Sequence, residues 1–344
     1  MKGKILFLAT RPGFFTASTV SVLLGLVAGW RQAGRFDWPA ALAVLLASVL
    51  MHAGADLIND YHDHVNGADE ANREYISPFS GGSRAIQRGL LTPAEVRRAA
   101  LVLLGAGTAL LAALSLRAGP VLLLLAAVGL GSSLAYTGRP LYLASRGLGE
   151  LVIGVNFGPV LVGAGYYVQA RTLPAGALLL SLPMAFLVTA ILYVNEMPDY
   201  HGDRAAGKRT LVVRLGRRRA AWGYALLVSL AYLSVVVATL ARQLPTEALI
   251  ALASAPLGVA AAANVFRHYD DPVAMSPANV QTIVNHLLTG LLLVVASLGS
   301  RALWMLLVGA GCSSLLALQA YRAMDGMRRG FLAQRGPGAP MGAG

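Results

Sequence analysis

Asn59-Asp60-Tyr61-His62-Asp63-His64-Val65-Asn66-Gly67-Ala68-Asp69 ends one apolar run of membrane-spanning length, and Asn195-Glu196-Met197-Pro198-Asp199-Tyr200-His201-Gly202-Asp203 ends another. On a helix, Asn59 and Asp63 lie one turn apart, and Asn195, Asp199 and Asp203 form a one-sided stripe. Carboxylates gathered at the mouth of an apolar bundle repel one another unless a cation lies between them. Two facing carboxylate and carboxamide clusters suit a hard cation such as Mg²⁺, which takes few protein ligands and completes its shell with water and substrate phosphate. The pair therefore reads as a membrane site for a metal–diphosphate.

The surrounding composition fits. Of 344 residues, 56% are hydrophobic and 13% charged, with a mean hydropathy of +0.61. Soluble domains are nearer a quarter charged, so an integral membrane protein is expected. Apolar runs of about 18 residues or more fall at 13–33, 39–58, 95–115, 119–136, 148–168, 175–197, 217–240, 245–266, 280–299 and 302–322. The fold class is all-α, a polytopic helical bundle.

The net charge of +12 invites a nucleic-acid reading, but the placement of the basic residues argues against it. With a cytoplasmic N-terminus, 22 of the 28 lysines and arginines fall on the cytoplasmic face. The other face receives 6: Arg31, Arg35, Arg117, Arg171, Arg242 and Arg301. That bias is the positive-inside pattern, and it puts both acidic clusters on the cytoplasmic face. No protein partner is evident. Met1-Lys2-Gly3-Lys4 leads into a short apolar run without a small-residue cleavage pattern, so no cleavable signal is expected. Cys312 lies in an apolar run and excludes an internal disulfide. A single domain over 1–325 is expected, followed by a disordered basic tail over 326–344.

Several smaller signals have two readings. Ser77-Pro78-Phe79-Ser80-Gly81-Gly82-Ser83-Arg84 is either a flexible loop or a source of backbone N–H groups and a guanidinium for phosphate oxygens. Gly207-Lys208-Arg209-Thr210 lacks the upstream glycine spacing and the preceding strand of a P-loop. His62, His64 and His201 alternate with acids and have no partner cysteines, which favours solvated or phosphate-adjacent roles over metal ligation. Asp56 lies one turn deeper than Asp60. Pro198 is expected to kink or end its helix. Tyr136 and Arg139 end the fourth apolar segment on the acidic face, where they either meet a diphosphate or anchor the interface.

With these residues the chain resembles the UbiA superfamily of intramembrane prenyltransferases. That family has an Asn/Asp-rich motif after its second helix and an Asp-x-x-x-Asp motif after its sixth. Asn59, Asp60 and Asp63 match the first; Asp199 and Asp203 match the second. The family's common third acid, four residues after Asp63, is Gly67 here, with Asp69 two residues later. Arg11-Pro12, Tyr136-Thr137-Gly138, Arg146 to Glu150, and Asp203-Arg204 with Gly207 to Gly216 are similar to the subgroup that prenylates 1,4-dihydroxy-2-naphthoate in menaquinone synthesis. The similarity runs from about 11 to 299.

The resemblance implies a nine-helix core, to which 302–322 would add a tenth span. It implies Mg²⁺-dependent transfer of a polyprenyl group from its diphosphate to an aromatic quinone precursor, with loss of CO₂ to give demethylmenaquinone in this subgroup. It also implies a prokaryotic cell membrane with the site on its cytoplasmic side. Asp60, Asp63, Asp199 and Asp203 would be catalytic. Asn59, Asp60, Asp63, Asp69, Asn195, Asp199 and Asp203 would hold metal. Asn59, Arg84, Tyr136, Arg139, Asn195 and Lys208 would contact the diphosphate. Other acceptors remain open within the superfamily: 4-hydroxybenzoate, homogentisate, a haem or a glycerol phosphate ether lipid. From another class, an ion-coupled secondary transporter would place its acids nearer the bilayer midplane.

Overall fold

The computed structural model describes residues 2–299, and the regular elements among them are helical. The expected tenth segment and the basic tail lie outside the described residues. In order, the helices are α1 (Lys2–Ala9), α2 (Phe15–Ala33), α3 (Trp38–Val65), α4 (Ala68–Ala71), α5 (Pro93–Ala118) and α6 (Val121–Thr137). They continue with α7 (Gly149–Val155), α8 (Leu161–Ala170), α9 (Ala175–Ala205), α10 (Leu211–Leu215), α11 (Arg217–Leu240), α12 (Ala255–His268) and α13 (Pro272–Leu298). A single π turn, Asn156–Val160, joins α7 to α8. Among the described residues, eight helical stretches are long and apolar enough to cross a membrane, and α6 is a shorter apolar helix of 17 residues. Exposed Leu42, Leu101, Leu124, Leu151, Leu226 and Val259 give the bundle an outward apolar surface. It is a multi-pass integral membrane protein.

The helix starts are written locally. Asp37 accepts from Ala40 N at 3.0 Å ahead of Pro39. Thr92 and Glu95 form a reciprocal capping box before α5, and Asp271 caps α13 ahead of Pro272. Each cap satisfies N–H groups that the first helical turn leaves without partners.

Small residues set the packing. A Cβ at Gly25 or Gly29 would run into main-chain atoms of Val162 or Tyr166, and one at Gly165 into Val22. α2 and α8 therefore meet backbone to backbone, as helices do where lipid supplies no hydrophobic drive. Gly54 and Gly107 do the same between α3 and α5. One apolar cluster joins Val22, Leu26, Val44, Leu111, Leu122 and Val168. Another joins Tyr193, Met197, Tyr224, Val228, Val265 and Met275 across α9, α11, α12 and α13.

Two expectations about helix ends are corrected. The acidic stretch after the second apolar run lies on α3 itself as far as Val65, because the helix outlasts its apolar face by two turns. Pro198 does not end its helix, since α9 continues to Ala205. A proline inside a helix deprives the carbonyl four residues earlier of its partner. Here that carbonyl is Val194 O, and Asn279 Nδ2 on α13 donates to it at 3.3 Å.

Replacing Gly25 with Val is expected to cost about 1–3 kcal/mol through overpacking. Gly131→Ala, where a Cβ meets nothing within 4 Å, is expected to be neutral or to stabilise by about 0.5–1 kcal/mol. Denaturant or thermal unfolding in detergent reads both.

Candidate active site

The two acidic stretches end helices that share one mouth of the bundle, and two separate bridges tie them together. The first is Lys208, in the loop after α9. Its Nζ lies 2.9 Å from Asp63 Oδ2 and 3.5 Å from Asp203 Oδ1. Burial works to lower the Lys208 pKa, but Asp203 and Asp63 outweigh it and hold the ammonium well above the ordinary lysine value.

The second bridge is the Gly81-Gly82-Ser83 turn. Gly81 N donates to Asp199 Oδ2 at 3.2 Å, and two residues on Ser83 N donates to Asp60 Oδ2 at 3.1 Å. Gly81, Gly82 and Arg84 all have positive φ. A Cβ at Gly82 would stand 2.9 Å from Asp60 Oδ1 and 3.3 Å from Asp69 Oδ2, so only glycine fits this left-handed position between two carboxylates.

The remaining partners complete each cluster. Asp63 also accepts from Asn59 Nδ2 at 3.3 Å and from Asn66 Nδ2 at 3.2 Å. Asn66 donates in turn to Tyr142 Oη at 2.7 Å. Asp199 Oδ1 accepts from Asn72 Nδ2 at 2.5 Å. Arg11, in a left-handed conformation between α1 and α2, reaches Asp56 at 3.2 Å and Asp60 at 3.4 Å. Asp69, on short α4, receives Gln87 Nε2 at 3.1 Å. Burial first, then Asp63 and Asp60, push its carboxyl up to about 8.

The expected diphosphate contacts are placed unevenly. Arg84 is buried, but its guanidinium donates to the main-chain carbonyls of Asp69 and Asn72 and lies over the Tyr75 ring. It braces the loop in this structure. Asn195 Oδ1 accepts from Asn279 Nδ2 at 2.8 Å, turned toward α13. Tyr136 and Asn59 line the cavity described below. Arg139 is exposed. His64 and His201 pair with Glu70 and Glu74 at the rim.

Several contributors carry no motif. Asn72, Gln87 and Tyr142 are single polar residues in loops, with no spacing to single them out. Glu196 stands inside the second motif and is buried with Glu150, whose Oε1 accepts from Leu211 N at 2.7 Å. Arg11 could have been found from its position: an arginine before a proline inside an apolar stretch must break the helix and find an anion.

Below the acids lies a cavity of about 220 Å³ between α3, α5, α6 and the α7–α8 stretch. Its upper end carries Arg11, Asp56, Asn59 and Tyr136; its depth is lined by Val44, Leu111, Leu125, Val160, Leu161 and Ala164. The arrangement is an anionic mouth over an apolar chamber.

The donor set fits a hard divalent cation. It consists of oxygens; Asn59 Oδ1 is buried without a partner, and Asp60 Oδ1 has no hydrogen bond beyond its ion pair with Arg11. Arg11 and Lys208 form ion pairs with the aspartates at 56, 60, 63 and 203, and buried Arg84 adds its charge beside Asp69. Among the described residues, no group of three or more His, Cys, Asp or Glu side chains is arranged to hold a metal ion by itself. A cation there takes its remaining ligands from water and substrate, which is the habit of Mg²⁺.

Residues 18–278 match the UbiA prenyltransferase family, and the chain belongs to it. It is 32% identical over 291 residues to the 1,4-dihydroxy-2-naphthoate octaprenyltransferase of Escherichia coli, covering 83% of this chain and 92% of that one. A solved UbiA homolog from Aeropyrum pernix superposes with a TM-score of 0.61 at 18% identity, covering 81% of this chain and 97% of the other. A homolog from Archaeoglobus fulgidus, solved with DMAPP and Mg²⁺, gives 0.57 at 15% identity, covering 84% and 98%. The protein is a membrane prenyltransferase, and the transporter reading falls away.

Gly82→Ala is expected to lower the prenyl-transfer rate about 10–100-fold by displacing the turn between Asp60 and Asp69. Gly89→Asn, at a left-handed position with open space around it, is expected to leave the rate unchanged. Steady-state kinetics on folded protein distinguishes them.

Proposed function

We propose that this protein transfers a polyprenyl group from its diphosphate to 1,4-dihydroxy-2-naphthoate, in a Mg²⁺-dependent reaction with loss of CO₂ that gives demethylmenaquinol, the reduced form of demethylmenaquinone. The observation that carries the reading is the doubly bridged acidic mouth set directly over an apolar chamber. The identity to the naphthoate octaprenyltransferase over most of both chains supports the acceptor.

Asn59, Asp60, Asp63 and Asp69 from the first motif and Asn195, Asp199 and Asp203 from the second would hold the metal. Bound there, Mg²⁺ would supply charge neutralisation at the diphosphate oxygens and so make diphosphate a better leaving group. Lys208 adds a fixed positive charge between the motifs and positions Asp63 against Asp203. Tyr136, at the top of the cavity, is placed to meet the diphosphate, whereas Arg84 acts through the loop it braces. Arg139 contributes at the exposed rim. The apolar lining takes the prenyl chain and keeps water from the allylic cation until a ring carbon of the acceptor captures it. The electron pair of the broken C–O bond stays with diphosphate; the new C–C bond forms at the electron-rich ring, and the bond to the carboxylate breaks, releasing CO₂ and returning its electron pair to the aromatic ring. The lysine and arginine bias supports a cytoplasmic position for this mouth in a prokaryotic cell membrane.

Purified protein in nanodiscs, given Mg²⁺, a polyprenyl diphosphate and 1,4-dihydroxy-2-naphthoate, is expected to yield a prenylated, decarboxylated product by mass spectrometry. EDTA, Asp63→Ala and Asp199→Ala are each expected to lower the rate at least about 100-fold. Diphosphate release without that product would move the assignment to another acceptor. Neither product nor diphosphate from folded protein would overturn the reading.

A further inference from the structure

Two stretches that the family resemblance marks, 146–150 and 207–216, line no part of the chamber. They meet each other beside the mouth, around the loop that carries Lys208. Lys208 N donates to Asp203 O at 2.8 Å, which ties the residue to the end of α9. The far side of that loop is held by the segment joining α6 to α7. Ser145 Oγ donates to Gly207 O at 3.3 Å and accepts from Arg209 N at 3.2 Å, so one hydroxyl grips the residues on both sides of the lysine. Arg214, on α10, closes the same contact: its Nε donates to Arg209 O at 2.9 Å and its Nη2 to Ser145 O at 3.2 Å. Gly147 makes room for that side chain, since a Cβ there would stand 2.9 Å from Arg214 Nε. Further along, buried Glu150 accepts from Leu211 N at 2.7 Å.

The α6–α7 segment also reaches the first motif. Three residues before Ser145, Tyr142 Oη accepts from Asn66 Nδ2 at 2.7 Å, and Asn66 donates to Asp63 Oδ1 at 3.2 Å. One segment therefore holds Asp63 through Asn66 and Lys208 through its two neighbours, and Asp63 and Lys208 are the two halves of an ion pair.

A lysine carries its charge at the end of a flexible stem. Its ammonium keeps one place between two carboxylates only where the main chain beneath it is fixed. We infer that Ser145, Glu150 and Arg214 are positioning residues for diphosphate binding: they clasp the loop that bears Lys208 and so hold its ammonium between Asp63 and Asp203. Each acts through Lys208 and not on the reacting atoms. This role rests on the proposed diphosphate site, but the first measurement needs no substrate.

Lysine occurs three times in the chain, at 2, 4 and 208, and Lys2 and Lys4 are exposed. Acetic anhydride labelling of the protein in nanodiscs, read peptide by peptide by mass spectrometry, thus carries its own reference. In the unmodified protein Lys208 is expected to label at least about tenfold more slowly than Lys2 and Lys4. In Ser145→Ala, Arg214→Ala and Glu150→Ala its rate is expected to rise about fivefold or more, with Lys2 and Lys4 unchanged. Glu150→Gln keeps a carbonyl oxygen for Leu211 N and is expected to stay within about twofold of the unmodified protein. Exposed Arg214 and half-buried Ser145 decide the matter if Glu150→Ala does not fold. In turnover, the three alanine variants are expected to raise the prenyl diphosphate KM about tenfold and to leave the acceptor KM within about twofold. Unchanged Lys208 labelling in Ser145→Ala and Arg214→Ala, or an equal rise in both KM values, would overturn the inference. So would faster labelling with an unchanged prenyl diphosphate KM. Faster labelling and a raised prenyl diphosphate KM, in an enzyme that prenylates another acceptor and not naphthoate, would support the clasp and overturn the naphthoate assignment.

Discussion

Six aspartates held at one end of an apolar bundle define the problem that the rest of the structure answers. Like charges in a medium of low dielectric repel strongly, and each is costly to bury without a partner. The chain does not neutralise them one by one. It spans them with Lys208, which touches both motifs, and with a three-residue turn whose N–H groups reach Asp199 at one end and Asp60 at the other. Two bridges of different chemistry fix the distance between α3 and α9 while leaving carboxylate oxygens uncommitted. A binding site for a cation and a polyanion needs that combination of held geometry and spare negative charge.

Rigidity at the mouth depends on the bundle beneath it. α9 carries the second motif through Pro198 because Asn279 replaces the hydrogen bond the proline removes, and the same amide fixes Asn195. A Cβ at Gly202 would strike Asn72, so the loop that grips Asp199 packs directly on the helix that bears it. Arg84 ties that loop at two main-chain carbonyls. The arginine has the charge to bind phosphate, and its Nη1 and Nη2 groups are turned to backbone while Nε is without a partner. Its contribution is to hold the turn in the left-handed conformation that aims two N–H groups at two carboxylates.

The legible part of this fold was what repeats or clusters. Apolar runs gave the helices through α13, and paired acidic stretches gave the mouth, since both signals are carried by many residues at fixed spacing. Helix ends were less legible: α3 and α9 continue past their apolar faces because tertiary partners, not hydropathy, sustain their last turns. Single residues were least legible of all. Asn72 and Gln87 matter only because a distant helix comes within hydrogen-bond reach, and nothing in their neighbours announces it. Arg84 shows the converse: its residue type announces an anion, and the carbonyls of Asp69 and Asn72 compete with a phosphate for the same donors.

The chamber below the mouth follows the same logic of unsatisfied groups. An apolar wall binds a prenyl chain without regard to orientation, because dispersion and exclusion of water are not directional. An aromatic acceptor must present one ring carbon to the cation, so its binding needs direction, and hydrogen bonds supply it. The buried polar atoms left without a hydrogen bond among the residues lining this cavity are Arg11 Nε, Asn59 Oδ1 and Asp56 Oδ2. Asn156, at the π turn, is closed off, its Oδ1 taken by Ser132 and its Nδ2 by Val152 O. The open acceptors all lie on α3, the helix that also carries the first acidic motif. One helix thereby carries both the first acidic motif and the open acceptors of the chamber.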